Sequence, residues 1–150
     1  MKLKYSNLLK YVEKIFIGYK LSKKHAAISA KYLVDADFSG VNTHGLARVS
    51  MYCMRLKKKL IKAKPKIKIK KISSNVFHLD ADNSIGMVAA DMATDLLIQN
   101  TKKNGIVLVG VKNSGHYGMS GLFAEKAAKA GLMVWCYTNA PPFIPPHGTI

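Results

Sequence analysis

The sequence predicts an α/β fold with α+β character, in which an N-terminal helical segment precedes a mixed sheet with helices. Three observations predict it. Apolar residues recur at helical spacing through the first part of the chain, a period-two alternation takes over after Pro65, and short β-branched apolar runs then alternate with helical stretches. The chain accordingly divides into a helical segment, residues 1–64, and the first part of an α/β domain, residues 65–150.

Taken in order, Ser6 is placed to cap a helix running through Tyr19, with Leu8, Leu9, Val12, Ile15 and Phe16 at helical spacing. Ser22 caps a second helix that turns Ala26, Ala27, Ala30, Leu33 and Val34 toward a neighbour, and Gly40 lets the chain reverse. A third helix is expected from Thr43 or His44 to Lys59. Beyond Pro65, the runs Ile67–Ile72 and Val76–Leu79 read as paired strands with Ser73, Ser74 and Asn75 as the turn. A helix from Ile85 to Gln99 follows, closed by Asn104 and Gly105. The run Ile106–Val111 is apolar on both faces and β-branched, which predicts a central buried strand. A helix from Met119 to Lys129, ended by Gly131, leads to another buried strand, Leu132–Tyr137. Pro141, Pro142, Pro145 and Pro146 then forbid regular structure.

With 150 residues, 49% of them hydrophobic, the chain is long enough for one soluble domain with a sizeable core. A net charge of +16 raises nucleic acid or an anionic membrane as a partner. Composition argues against specific nucleic-acid readout, because Arg48 and Arg55 are the only arginines and base or phosphate readout leans on guanidinium forks. The alternation from Lys66 to Lys70 reads instead as an outer strand whose lysines discourage edge pairing. Cys53 and Cys136 belong to no CxxC pair, so neither a disulfide framework nor a metal site is expected, and both read as buried, reduced thiols. Charge interrupts the apolar N-terminus and no run is long enough to span a bilayer, so a cytoplasmic protein is expected.

Two segments carry the chemistry: Asn42–Arg48, with His44 before Gly45, and Asn113–Gly118, with His116 between Gly115 and Tyr117. Each places an imidazole in a glycine-flanked turn, reachable from solvent. On a helix starting at the first turn, His44, Arg48 and Tyr52 fall at i, i+4 and i+8 and share a face. A guanidinium can fork onto a carboxylate, and an imidazole can pass a proton to a carbonyl oxygen. On pattern alone, Arg48 serves equally well as a helix-surface cation and His44 as a capping or buried imidazole. His116 follows a predicted strand at its carboxyl end, with Ser114 and the Gly115 and Gly118 backbones placed to orient its ring. Gly115, Gly118 and Gly121 are spaced GxxGxxG, and no acidic residue ends the next strand, so no Rossmann fingerprint is present.

Four segments, in order, carry a resemblance. They are DADFSGVNTHGLAR from Asp35 to Arg48, LDADNSIG from Leu79 to Gly86, VKNSGHYG from Val111 to Gly118, and TNAPPFIPP from Thr138 to Pro146. With these the chain resembles the malate/L-lactate dehydrogenase family of non-Rossmann, nicotinamide-dependent oxidoreductases, which includes ureidoglycolate dehydrogenase and diketogulonate reductase. The resemblance implies an NAD- or NADP-dependent enzyme acting on a small 2-hydroxy or 2-oxo acid, and a homodimer. It implies that residues 65–150 begin the catalytic and cofactor-binding domain. It places His44 and Arg48 in the substrate site, with Thr43 and Tyr52 beside them, and gives His116 the role of proton acceptor in the oxidation direction. Either histidine can be the primary acid/base on this reading. Asn139, Ala140 and Pro146 fall in the implied cofactor loop.

Departures from the family pattern are Thr43 for a serine, Ala140 for a serine of several members, and His147-Gly148 for Trp-Gly-Gly. Family members run well past this length, so the chain is expected to be the front part of such an enzyme. The alternatives are a truncated or split remnant that acts only by association and, less favoured, a basic nucleic-acid-binding domain.

Overall fold

The computed structural model describes residues 3–139. Helix α1, Tyr5–Gly18, and helix α2, Lys23–Phe38, form an antiparallel pair. Val12 and Phe16 of α1 and Ala26, Ala30, Leu33 and Val34 of α2 bury the apolar face that the spacing predicted. Ala27 instead points to solvent, one position off that face. Ser22 caps α2 by accepting the His25 N–H at 3.2 Å. Ser6 does not cap α1, which begins one residue before it. The Tyr5 hydroxyl donates to Asp35 at 2.6 Å and its ring meets Phe38 edge-on, so contact with α2 decides where α1 starts.

The expected third helix is broken. Two single 3₁₀ turns, Asn42–His44 and Leu46–Arg48, flank Gly45, and α3 proper runs Val49–Lys57. Tyr52, Cys53 and Leu56 are its buried residues.

Strands β1 (Lys68–Lys71), β2 (Val76–Ser84) and β3 (Leu108–Ser114) form one mixed sheet in the order β1-β2-β3. β1 pairs antiparallel with β2, Lys68 opposite Asp80, and Ser73 to Asn75 lie in the connection between them as predicted. β2 pairs parallel with β3, Val76 opposite Leu108, across the long helix α4, Gly86–Asn104. The lysine-rich β1 is the outer strand that the alternation predicted, although Ile69 is exposed along with its lysines.

Two strand expectations are corrected. Among the described residues β2, not β3, is central: Phe77, Leu79 and Ala81 alternate inward along it, while Leu108 on β3 stays 63% exposed. An apolar run on both faces reports a strand suited to burial, but which strand is central depends on the order of pairing. The stretch Leu132–Tyr137 pairs with nothing among the described residues and is irregular. Strand propensity without a ladder partner leaves backbone groups unpaired, so it makes no strand here. Cys136 lies in this stretch and is exposed, against expectation, whereas Cys53 is buried as expected.

Helix α5, Ser120–Lys129, packs against α2 and α4. Phe123 stacks on Tyr32 of α2 with ring centroids 4.3 Å apart, and Lys126 reaches Asp91 and Asp95 of α4 at 2.6 Å each. The main core gathers Phe16, Leu33, Val34, Tyr52, Ile85, Met87 and Phe123, joining residues from both sides of Pro65. Ala63 and Ile67 pack against it from the connecting stretch. No helix among the described residues is long and apolar enough to cross a membrane.

Candidate active site

The His44 turn is built around Asp37, near the end of α2. Its Oδ2 accepts the Leu46 N–H at 2.7 Å, which satisfies the first donor of the second 3₁₀ turn. The carboxylate also lies against Gly45 where a Cβ would sit, so a side chain at this position would have to displace Asp37. The chain therefore breaks at Gly45, and His44, Arg48 and Tyr52 do not form the continuous helical ladder expected of them.

They meet nonetheless. The Thr43 hydroxyl lies 3.1 Å from His44 Nδ1, and Arg48 Nε donates to the Thr43 carbonyl at 2.6 Å. That bond orients the guanidinium and leaves its terminal amino groups without a partner among the described residues.

The His116 loop leaves β3 at Ser114 and is held from two sides. At its start Asn113 adopts φ 52°, and its amide donates to Asp80 of β2 at 3.0 Å. Asn113 first, then the Asp82 N–H and Lys112, hold the Asp80 carboxyl below its ordinary range. Beneath the loop, the first residue of α4 is Gly86, and a Cβ there would run into the backbone oxygens of Gly115 and His116. Ser114 does not orient the imidazole; its hydroxyl turns to the Gly115 carbonyl at 3.4 Å. Tyr52 does so instead, with its hydroxyl 2.7 Å from His116 Nδ1.

The two histidines, from segments far apart in sequence, stack with ring centroids 5.5 Å apart and an interplanar angle of 22°. Both rings are half-buried. Burial, and then the neighbouring His44, Arg48 and Arg55, lowers the affinity of His116 for a proton. Burial likewise raises the Tyr52 phenol well above its ordinary value, so it stays neutral. Thr43, His44, Arg48, Tyr52 and His116 thus form one cluster with proton-handling groups beside a guanidinium. Asn139 is exposed at the end of the described chain, while Ala140 and Pro146 lie outside the described residues, as do His147 and the proline-rich stretch.

Sequence reading missed Asp37, Gly86 and Arg55 as parts of this site. Asp37 and Gly86 stood inside the recognised segments, and their signal was a carboxylate shortly before a His-Gly turn and a glycine opening a helix. Nothing in the sequence placed Arg55 near His116.

A family model described as malate/L-lactate dehydrogenase matches residues 3–150. Ureidoglycolate dehydrogenase (NAD(+)) of Escherichia coli O157:H7 is 32% identical over 148 residues, 99% of this chain and 42% of that protein. The structure of malate dehydrogenase from Pyrococcus horikoshii OT3 is similar with a TM-score of 0.84 and 28% identity, over 87% of this chain and 38% of that one. Sulfolactate dehydrogenase from Methanocaldococcus jannaschii is similar with a TM-score of 0.82 and 33% identity, over 86% of this chain and 38% of its own. The chain spans about two fifths of the length of the curated relatives it matches.

Proposed function

The chain belongs to the malate/L-lactate dehydrogenase family, and from that premise we propose that it serves an NAD(P)-dependent oxidoreductase that moves hydride between a nicotinamide cofactor and a small 2-hydroxy or 2-oxo acid of malate, lactate or ureidoglycolate type. The observation that carries the reading is the meeting of His44 and His116, 5.5 Å apart, beside the oriented guanidinium of Arg48.

A 2-oxo acid brings a carboxylate and a carbonyl. Arg48, its plane set by the Thr43 carbonyl, offers its terminal N–H groups as a bidentate seat for the carboxylate. In the oxidation direction the substrate hydroxyl must lose its proton as hydride leaves carbon, and His116, with its lowered proton affinity, is unprotonated at neutral pH and ready to take it. In reduction the same nitrogen returns the proton to the carbonyl oxygen. His44, stacked 5.5 Å from His116, is the alternative proton-handling group at the same place. Hydride transfer to a nicotinamide requires that the substrate hydroxyl shed its proton to a separate group, and the half-buried histidine pair has the donor set for that partner chemistry. When bound, the nicotinamide supplies the carbon that accepts or donates hydride. Asn139, Ala140 and Pro146 are proposed to contribute to its binding, in a cytoplasmic homodimer.

The test is NADH oxidation with a panel of 2-oxo acids. His116→Ala should lower kcat by about 10²–10⁴-fold, the range of general acid–base catalysis. Arg48→Ala should raise KM, and both variants should keep the native circular dichroism. Full turnover in both would overturn the assignment.

A second reading, a remnant that acts by association, is favoured by the exposed apolar residues Leu108 and Val111 on β3 and Met133, Trp135 and Tyr137 beyond α5. It predicts a chain that dimerises and never binds NADH, and saturable NADH binding would exclude it.

A further inference from the structure

We propose that Tyr52 is a positioning residue that holds the proton of neutral His116 on Nδ1, so that Nε2 is the nitrogen that exchanges a proton with substrate. The proposal rests on the oxidoreductase reading for its chemistry and departs from the substrate contact that the sequence implied for Tyr52.

Tyr52 has no exposed surface, so its hydroxyl does not reach a ligand arriving from solvent. That hydroxyl has two neighbours, His116 Nδ1 at 2.7 Å and the His116 carbonyl oxygen at 3.3 Å. A phenol carries one proton to donate and lone pairs that accept, which allows two arrangements. In the first, the hydroxyl donates to Nδ1. The single proton of the neutral ring then sits on Nε2, which has no lone pair for a substrate proton. In the second, the hydroxyl donates to the His116 carbonyl and accepts from Nδ1–H, leaving a lone pair on Nε2.

Only the second arrangement serves both protonation states. When Nε2 takes a proton, Nδ1–H still donates to the Tyr52 oxygen and nothing has to turn. In the first arrangement, protonation would set the phenolic O–H against Nδ1–H, and the hydrogen bond would be lost at the moment charge appears on the ring. The carbonyl at 3.3 Å gives the phenolic proton an acceptor in the second arrangement. Among the described residues, the other charged or titratable groups acting on His116 are His44, Arg48 and Arg55, and none is a carboxylate that would hold Nδ1–H in place of Tyr52.

The experiment is nitrogen-15 NMR of histidine-labelled protein, reading the tautomer and titration of His116 without reference to turnover. Wild-type neutral His116 should carry its proton on Nδ1. In Tyr52→Phe, which keeps the ring and its packing, the tautomer should move toward Nε2–H and the titration midpoint should fall, because the imidazolium loses an acceptor. A wild-type proton on Nε2, or an unchanged His116 in a folded Tyr52→Phe, overturns the proposal; if the variant does not fold, the wild-type tautomer alone decides. In an active holoenzyme, Tyr52→Phe should cut kcat by about a hundredfold, the low end of general acid–base effects, with little change in KM. A raised KM at unchanged kcat would mean substrate contact and would overturn the positioning role. Absence of turnover in wild type would sink the oxidoreductase reading and leave the NMR result to judge Tyr52.

Discussion

The carboxylate of Asp37 occupies the space that a side chain on Gly45 would need, and from there it caps the 3₁₀ turn at Leu46. This packing interrupts the helix between His44 and Arg48 and presents both residues beside the His116 loop.

Gly45→Ala should therefore push Asp37 out of place, at a cost of about 1–3 kcal/mol for an overpacked contact. Asp37→Ala, which loses the cap alone, should cost about 1 kcal/mol. Urea midpoints measure both. A Gly45→Ala protein as stable as wild type would mean that the turn accommodates a side chain and that Asp37 does not define it.

Gly86→Ala should shift the loop that carries His116, because the new Cβ meets backbone oxygens that cannot rotate away. The expected loss is about 1–3 kcal/mol of stability, with a changed chemical shift for the His116 ring. An unmoved His116 resonance would contradict the close packing of α4 against the loop.

Stability should also depend on pH through His116. Its proton affinity is lowered in the folded state, by burial first and then by His44, Arg48 and Arg55, relative to an ordinary value of 6.5. The unfolded chain then binds more protons as pH falls below 6.5, so this contribution is complete above that value and is lost on acidification toward the lowered folded midpoint. His25 acts with the same sign, by burial and then Lys24. Urea midpoints measured on either side of 6.5 should fall with acid, and less steeply in His116→Gln. Equal slopes in wild type and variant would show that His116 binds protons alike in both states.

Trp135 is the single tryptophan and is 74% exposed. At low concentration its fluorescence should have a solvent-like maximum and be open to acrylamide. A blue shift that grows with protein concentration would show that association covers this stretch. Protection at every concentration would contradict its exposed placement.

The separate elements were largely legible in the sequence because their signals are local. Ser22 caps α2 through a bond three residues away, and Asn104-Gly105 ends α4 through a glycine with φ 76°. The antiparallel β1–β2 pair follows from alternation and a polar turn. His44, Arg48 and His116 were legible as candidate chemistry because glycine-flanked histidines and an arginine four residues on stand in recognisable segments. Less legible was how the segments meet. Neither the approach of Tyr52 to His116 Nδ1 nor the pressure of Gly86 on the loop leaves a periodic trace, since each depends on residues distant in the chain.

By itself the sequence determined the α/β class, the family, and most of the helices and strands, because caps, periodicity and turn chemistry act within a turn or two of the residue that carries them. Tertiary structure alone decided that the third helix breaks at Gly45, that β2 and not β3 lies between two strands among the described residues, and that Tyr52 faces His116. Those outcomes follow from which surfaces come into contact: a carboxylate on α2 claims the space over Gly45, the order of pairing sets which strand has two neighbours, and burial of α3 carries a phenol to an imidazole.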